Sequence, residues 1–219
     1  MESAAFIQWC LNHLNYWTIT ILMALESSLF PLPSEIVVPP AAWKSVVGNQ
    51  LNIYLVVLFA TLGCDIGASV NYFLAQWLGR PIVYKFANSK IGHLLLLNQE
   101  KLDKTVDYFQ KRGAIATFTG RLLPVIRHLI SIPAGISKMH YGAFILYTTI
   151  GSAIWNSILA LMGYYCSKIP GIETEEQLIE TVTHYSHEIG YTLLGLIILA
   201  IGYKIYKSRK KKRRMQAGG

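Results

Sequence analysis

Apolar residues gather in long runs separated by short polar stretches, and the runs set the architecture. Four of them, Tyr16–Phe30, Leu51–Gly79, Tyr141–Cys166 and Ile189–Tyr206, predict transmembrane helices. About 20 apolar residues suffice to cross the hydrocarbon of a bilayer. Tyr141–Cys166 has no charged residue and Leu51–Gly79 has only Asp65. The fourth run is shorter and is completed by Ile205 and Tyr206, with Lys204 snorkelling to the surface. Two further windows, Pro31–Val47 and Ala114–Gly135, are apolar but broken, and hold six of the eight prolines. Proline removes a backbone donor and clashes with the preceding turn, so neither window predicts one straight helix. Irregular backbone at membrane depth is tolerated only where protein or a water-filled cavity covers it. The windows therefore predict two re-entrant helical hairpins.

Between the hairpins lies a polar stretch, Arg80–Arg112. Leu102, Val106 and Phe109 recur in its second half at helical spacing, with Asn98 as N-cap and Gly113 just past the end. This predicts an amphipathic helix along the cytoplasmic membrane surface. The predicted organisation is thus an N-terminal amphipathic head (1–15), an all-α membrane domain (16–206) and a basic tail (207–219).

Charge adds orientation. Arg80–Arg112 carries seven basic and three acidic residues, the stretch Lys204–Arg214 carries eight basic ones, and Lys168–Glu188 has five glutamates against one lysine. By the positive-inside rule the first two lie in the cytoplasm and the acidic connection outside. Leu51–Gly79 then runs inward and Tyr141–Cys166 outward, and the hairpins enter from opposite sides. That is the topology of an inverted repeat, as in many transporters. An ungapped echo accompanies it: Leu58, Thr61, Gly63, Ile66 and Ser69 of Leu51–Arg80 match Leu146, Thr149, Gly151, Ile154 and Ser157 of Met139–Lys168.

Composition fits the same class. The 219 residues are 53% hydrophobic and 15% charged, against roughly 25% charged in a soluble domain. The net charge of +8 sits beside apolar spans, which points to anionic lipid heads rather than nucleic acid. Cys10, Cys64 and Cys166 stand singly, with no metal spacing, and read as core residues. Lys44 is the first basic residue, so no basic n-region of a signal peptide is seen.

The chemistry lies in charges inside apolar sequence, each costing roughly 2.5–3.5 kcal/mol or more at the bilayer centre unless paired or wetted. There are five: Glu26, Glu35, Asp65, Arg121 and Arg127. Glu26 and Glu35 bracket Pro31–Pro33, and Arg121 and Arg127 stand symmetrically about Pro124. Two carboxylates on one hairpin facing two guanidiniums on the other predict either a neutralising ion-pair clasp or a site. Arginine forks and free half-helix N–H groups suit phosphate, and an apolar pocket lets a carboxylate exchange protons near neutral pH. His128, beside Arg127, adds a titratable group. Together these describe an anion or phosphate-headgroup site coupled to a proton.

Three stretches resemble the DedA family, also called the VTT or SNARE-associated domain family. They are Glu26-Ser-Ser-Leu-Phe-Pro-Leu-Pro-Ser-Glu35, Gly63-Cys-Asp-Ile-Gly67 through Tyr72, and Phe118-Thr-Gly-Arg-Leu-Leu-Pro-Val-Ile-Arg127 followed by Pro133-Ala-Gly135. The last resembles that family's F-x-G-R-x-x-P-x-x-R element. Ser34, where the family usually has Gly, and His128, where it often has Thr, depart from the pattern. The resemblance implies paired re-entrant hairpins, a bacterial cytoplasmic membrane location, and flipping of undecaprenyl phosphate or phospholipids with proton coupling. It also implies that Glu26, Glu35, Arg121 and Arg127 are the functional acidic and basic residues.

The expected partners are therefore membrane lipids and protons, with self-association open and no cofactor or metal. Rival readings are a proton/cation antiporter using Asp65 and the glutamates, a membrane lipid phosphatase, and a scaffold in which Gly63 and Gly67 only pack helices. No G-x-S-x-G or H-E-x-x-H element supports a hydrolase. His184, His187 and Glu188 read as a solvated helix face rather than a metal site.

Overall fold

The computed structural model describes residues 13–28, 33–48, 51–87, 99–123, 126–169, 171–172, 174, 177–185, 188–189, 192 and 195. They are helical or irregular, with no strand among them. The order is α1 (Tyr16–Ser27), a 3-10 turn (Ser34–Ile36), α2 (Val38–Val47), α3 (Ile53–Ala87), α4 (Gln99–Arg121), α5 (Ser131–Ile136) and α6 (Tyr141–Cys166). A further helical stretch covers 177–185. Most of the expected span 189–206, the tail, the head up to residue 12, Asn98, and Pro31, Leu32 and Pro124 lie outside the described residues.

Two segments are long and apolar enough to cross a membrane: Ile53–Gly79, mean hydropathy 1.9, and Tyr141–Cys166, mean hydropathy 1.5. They pack antiparallel. Tyr72 stacks on Phe144, Asp65 meets Thr149, and Thr61 meets Asn156. α3 ends its straight course at Gly79, whose φ of 69° is a left-handed conformation open to glycine at little cost.

Of the expected crossing over 16–30, the described residues form α1. α1 has only 12 residues, about 18 Å at 1.5 Å per residue, well short of a bilayer. Asn15 starts it with a capping box, its Oδ1 accepting from Trp17 N and Thr18 N while Thr18 Oγ1 accepts from Asn15 N. It runs parallel to α3. Tyr16 Oη accepts from Asn52 N at 2.9 Å, Ala24 lies against Gly63 and Gly67, and Asn71 Nδ2 reaches Ser27 O at 3.1 Å. Because α1 and α3 start at the same end, the connection must return there. α1 is thus one arm of a hairpin and α2 the other. Pro39 and Pro40 sit in the first turn of α2, where a missing N–H is no loss.

The second half repeats the pattern. α4 breaks at Arg112 (φ −144°, ψ 32°), so its amphipathic part stops there with Gly113 just past the end, as expected, and a second helical arm follows. Gly113 lies against Met139 and Gly151 against Arg121, which sets the arm 113–121 parallel to α6. Turns at 126–130 and α5 then lead back to the start of α6. Each return arm packs on the other half's long helix, Gly163 of α6 against Pro39 of α2 and Gly135 of α5 against Tyr72 of α3.

The first part of α4 is helical, as expected. Val106 and Phe109 are buried against Ala75 and Ile136 and against Tyr72 and Phe144. Both side chains are therefore covered by the protein itself. The outward faces of α3 and α6 expose Leu58, Leu62, Ile66, Val70, Leu146, Ile150 and Ile154, as hydrocarbon surroundings require.

Candidate functional site

Between α3 and α6 the end of α1 and the 3-10 turn come against the end of α4 and the turns at 126–130, and both sides bring charge. Glu26 lies in the last turn of α1 and Glu35 in the 3-10 turn. Arg121 closes α4, and Arg127 and His128 lie in the turns at 126–130. Glu26, Glu35, Arg121 and Arg127 are all buried, none more than 7% exposed.

Arg127 holds the two carboxylates. Its Nη2 stands 2.7 Å from Glu26 Oε1 and 4.0 Å from Glu35 Oε2. It also donates to Ser34 Oγ at 2.7 Å, and Ser34 Oγ donates to Glu35 Oε2 at 3.4 Å, so one hydroxyl bridges the guanidinium to the second carboxylate. Trp155 of α6 supports this arrangement, its Nε1 donating to Ser34 Oγ at 3.4 Å and its ring lying 5.4 Å from the Arg127 guanidinium carbon. A cation over an indole face gains roughly 0.5–2 kcal/mol. The Glu26 contact is close but off hydrogen-bond alignment, and Glu26 Oε1 and Arg127 Nε have no hydrogen-bond partner among the described residues. His128 Nδ1 stands 3.7 Å from Glu26 Oε1.

Arg121 is held differently. Its Nη1 donates to Ser27 Oγ and its Nη2 to Ser131 Oγ, both at 3.0 Å. Among the described residues no carboxylate lies within 4.0 Å of it, and its Nε has no hydrogen-bond partner. Gly151 permits this position, since a Cβ there would come within 2.6 Å of Arg121 Cβ. Neutral hydroxyls solvate the guanidinium without cancelling its charge. Such a group attracts an anion of tetrahedral geometry.

Asp65 stands apart, half-buried on α3, with Oδ2 accepting from Thr149 Oγ1 at 2.7 Å. The structure thus brings Glu26, Glu35, Arg127 and His128 together, sets Arg121 beside them, and leaves Asp65 on the outer side of α3. His184 Nε2 lies 3.9 Å from Glu188 Oε1, both exposed, and His187 is outside the described residues. Among the described residues no three His, Cys, Asp or Glu side chains are grouped as metal ligands. Ser27, Ser34, Ser131 and Trp155 are site residues that the sequence did not single out. For two of them a signal existed, since Ser27 and Ser34 adjoin the buried glutamates.

Two antiparallel helices of membrane-crossing length, with shorter helices between them that bring paired charges into a buried polar site, are the architecture expected of a membrane protein. The chain belongs to the VTT-domain, or DedA, family, and residues 33–165 match the VTT domain. That match includes Glu35, Arg121 and Arg127, while Glu26 and α1 precede it. Over 192 residues the chain is 33% identical to an alkaline phosphatase-like protein of Lactococcus lactis, covering 87% of this chain and 86% of that one. It is 32% identical over 203 residues to undecaprenyl phosphate transporter A of Staphylococcus aureus, covering 93% and 95%. It is 25% identical over 190 residues to the protein DedA of Escherichia coli, covering 85% and 78%. No solved structure matches.

Proposed function

We propose that the protein translocates a lipid with a phosphate headgroup, undecaprenyl phosphate or a phospholipid, across the bacterial cytoplasmic membrane, coupled to protons. Arg121 and Arg127 hold the phosphate, and Glu26 and Glu35 exchange the driving proton. The carrying observation is the asymmetry of the buried charges: Arg127 is tied to two carboxylates, whereas Arg121 is held by two serine hydroxyls with no carboxylate within 4.0 Å among the described residues. A proton on Glu26 or Glu35 removes one of the two negative partners of Arg127 and loosens that guanidinium for the phosphate. Departure of the phosphate leaves Arg127 to reclaim its carboxylate, and the proton is expelled.

Depth supports the reading. Exposed Tyr54 and Trp77 stand about 35 Å apart along α3 at 1.5 Å per residue, and such rings favour the two membrane interfaces. Gly67, which packs against Ala24 and Ser27, is near the middle of that interval, so the site falls near the bilayer centre. The relatives named undecaprenyl phosphate transporter A support the cargo class. The basic tail lies on the cytoplasmic side, and the acidic connection 168–188 outside.

Proteoliposomes carrying labelled undecaprenyl phosphate or labelled phosphatidylglycerol test this, with and without a pH gradient. Movement of intact lipid by the wild type and not by Arg121→Ala is expected. Movement of neither lipid overturns the reading, and a dephosphorylated product makes the protein an enzyme, in keeping with the relatives named alkaline phosphatase-like.

A further inference from the structure

Asp65 lies in the wall of a groove that the clasp of Glu26, Glu35 and Arg127 does not use. This shallow groove of about 790 Å³ lies along the outer side of α3, with Tyr141 and Ile145 of α6 at its edge. It runs from Leu62 to Trp77, about 22 Å along the helix, and its walls are apolar except for Asp65, Ser69 and Tyr141. Ser69 and Tyr141 satisfy each other at 2.9 Å. Asp65 is not satisfied, because its Oδ1 is buried without a hydrogen-bond partner. The bond from Thr149 needs only an oxygen acceptor, which asparagine supplies without the cost of a charge facing hydrocarbon.

A polar strip leads inward from Asp65 across α6. With successive residues about 100° apart, Thr149, Ser152, Thr148 and Gly151 follow one another around the helix, and Gly151 abuts Arg121. Ser152 and Thr148 are buried. Thr148 Oγ1 and Arg121 Nε, like Asp65 Oδ1, have no hydrogen-bond partner among the described residues. Unpartnered polar atoms therefore mark the groove wall, the strip and the guanidinium. Arg121 also acts electrostatically on Asp65.

We propose that the groove is a lateral portal for the phosphate-bearing lipid, whose tail lies along α3 while its headgroup crosses the Thr149–Thr148 strip to Arg121. Asp65 gates it, repelling the anion when charged and admitting it when carrying a proton. The portal rests on the functional reading above and adds the entry route. The ionisable neighbours of Asp65 are Arg121 from α4 and Tyr141 from α6. Glu26, in the last turn of α1, also acts on α3 at Cys64, next to Asp65, α5 has no ionisable side chain, and α2 has only Lys44, in its last turn.

The test compares wild type, Asp65→Asn and Asp65→Glu from pH 5 to 9. Binding of labelled undecaprenyl phosphate and labelled phosphatidylglycerol is measured in detergent, with inorganic phosphate as competitor, and translocation is measured in liposomes. Wild type and Asp65→Glu are expected to lose rate and affinity about tenfold per pH unit once the gate ionises. Asp65→Asn is expected to flatten that decline and to exceed the wild type severalfold at the alkaline end. The two lipid arms separate an isoprenoid carrier from a phospholipid. An Asp65→Asn profile parallel to the wild type, or a folded Asp65→Asn protein inactive at every pH, overturns the portal alone. Wild type that neither binds nor moves either lipid overturns the functional reading and the portal with it.

Discussion

Arg121 and Arg127 are six positions apart, but substituting them should have opposite consequences for stability. Removing Arg127 leaves Glu26 and Glu35 buried without a counter-charge, and breaking a buried ion pair from one side costs about 3–5 kcal/mol. Arg127→Ala is therefore expected to lower the melting temperature in detergent, and adding Glu26→Gln to restore part of the loss. Arg121 has serine partners and no close carboxylate, so Arg121→Met orphans only two hydroxyls while deleting a desolvated charge. Its melting temperature should equal or exceed that of the wild type while phosphate-lipid transport disappears, as when a site is maintained at the expense of stability. A large fall in stability for Arg121→Met, measured by thermal unfolding, would place Arg121 in the structural clasp instead. The four buried charges were legible in the sequence because a charge within an apolar run is costly unless it has a partner or a task. Ser131 was not, because a serine in a membrane segment commonly bonds its own backbone, and Ser27 and Ser34 were marked only by their adjacency to the two glutamates.

At the scale of elements, helix contact is made close by missing side chains. A Cβ on Gly67 would stand 2.9 Å from Ser27 Cβ and closer still to the Ala24 carbonyl, so any larger residue pushes α1 from α3. Glu26 and Ser27 are at the end of α1, so the displacement moves partners of both arginines together. Gly67→Val is expected to reduce transport more than tenfold, since a shift of about 1 Å can cost 10²-fold, and to lower thermal stability. Gly79→Ala strains one φ away from the site and should cost about 1 kcal/mol, with transport largely kept. Equal losses in the two variants would deny α1 its positioning role. The long helices were legible because their uninterrupted apolar runs have the length of a crossing. The extent of α1 was not. Its sequence continues apolar through Leu29 and Phe30, and hydropathy alone does not separate half a hairpin from a span. Likewise Val106 and Phe109 mark an apolar face without saying whether lipid or protein covers it.

For the whole molecule, the parallel course of α1 and α3 fixes which ends share a side of the membrane. If Tyr16–Phe30 crossed fully and the next hairpin returned to the far side, Trp17 and Tyr54 would face opposite compartments. As folded, Tyr16 bonds Asn52, which sets Trp17 and Tyr54 at the same face, while Trp77 and Tyr141 gather at the other, with Tyr141 4.8 Å from Phe73. Trp17, Tyr54 and Trp77 are each more than 70% exposed and suit cysteine substitution in a Cys10→Ser, Cys64→Ala, Cys166→Ala background. A membrane-impermeant maleimide applied to intact cells is expected to label Trp17→Cys and Tyr54→Cys, and to label Trp77→Cys only after the cells are opened. The side follows from the basic stretch after Gly79, and the pairing follows from the fold. Labelling of all three reversed in side would correct the orientation and leave the hairpins intact. Labelling of Trp17→Cys and Tyr54→Cys from opposite sides would make α1 a crossing helix, and the meeting of two opposed hairpin tips at Arg127 would fall with it.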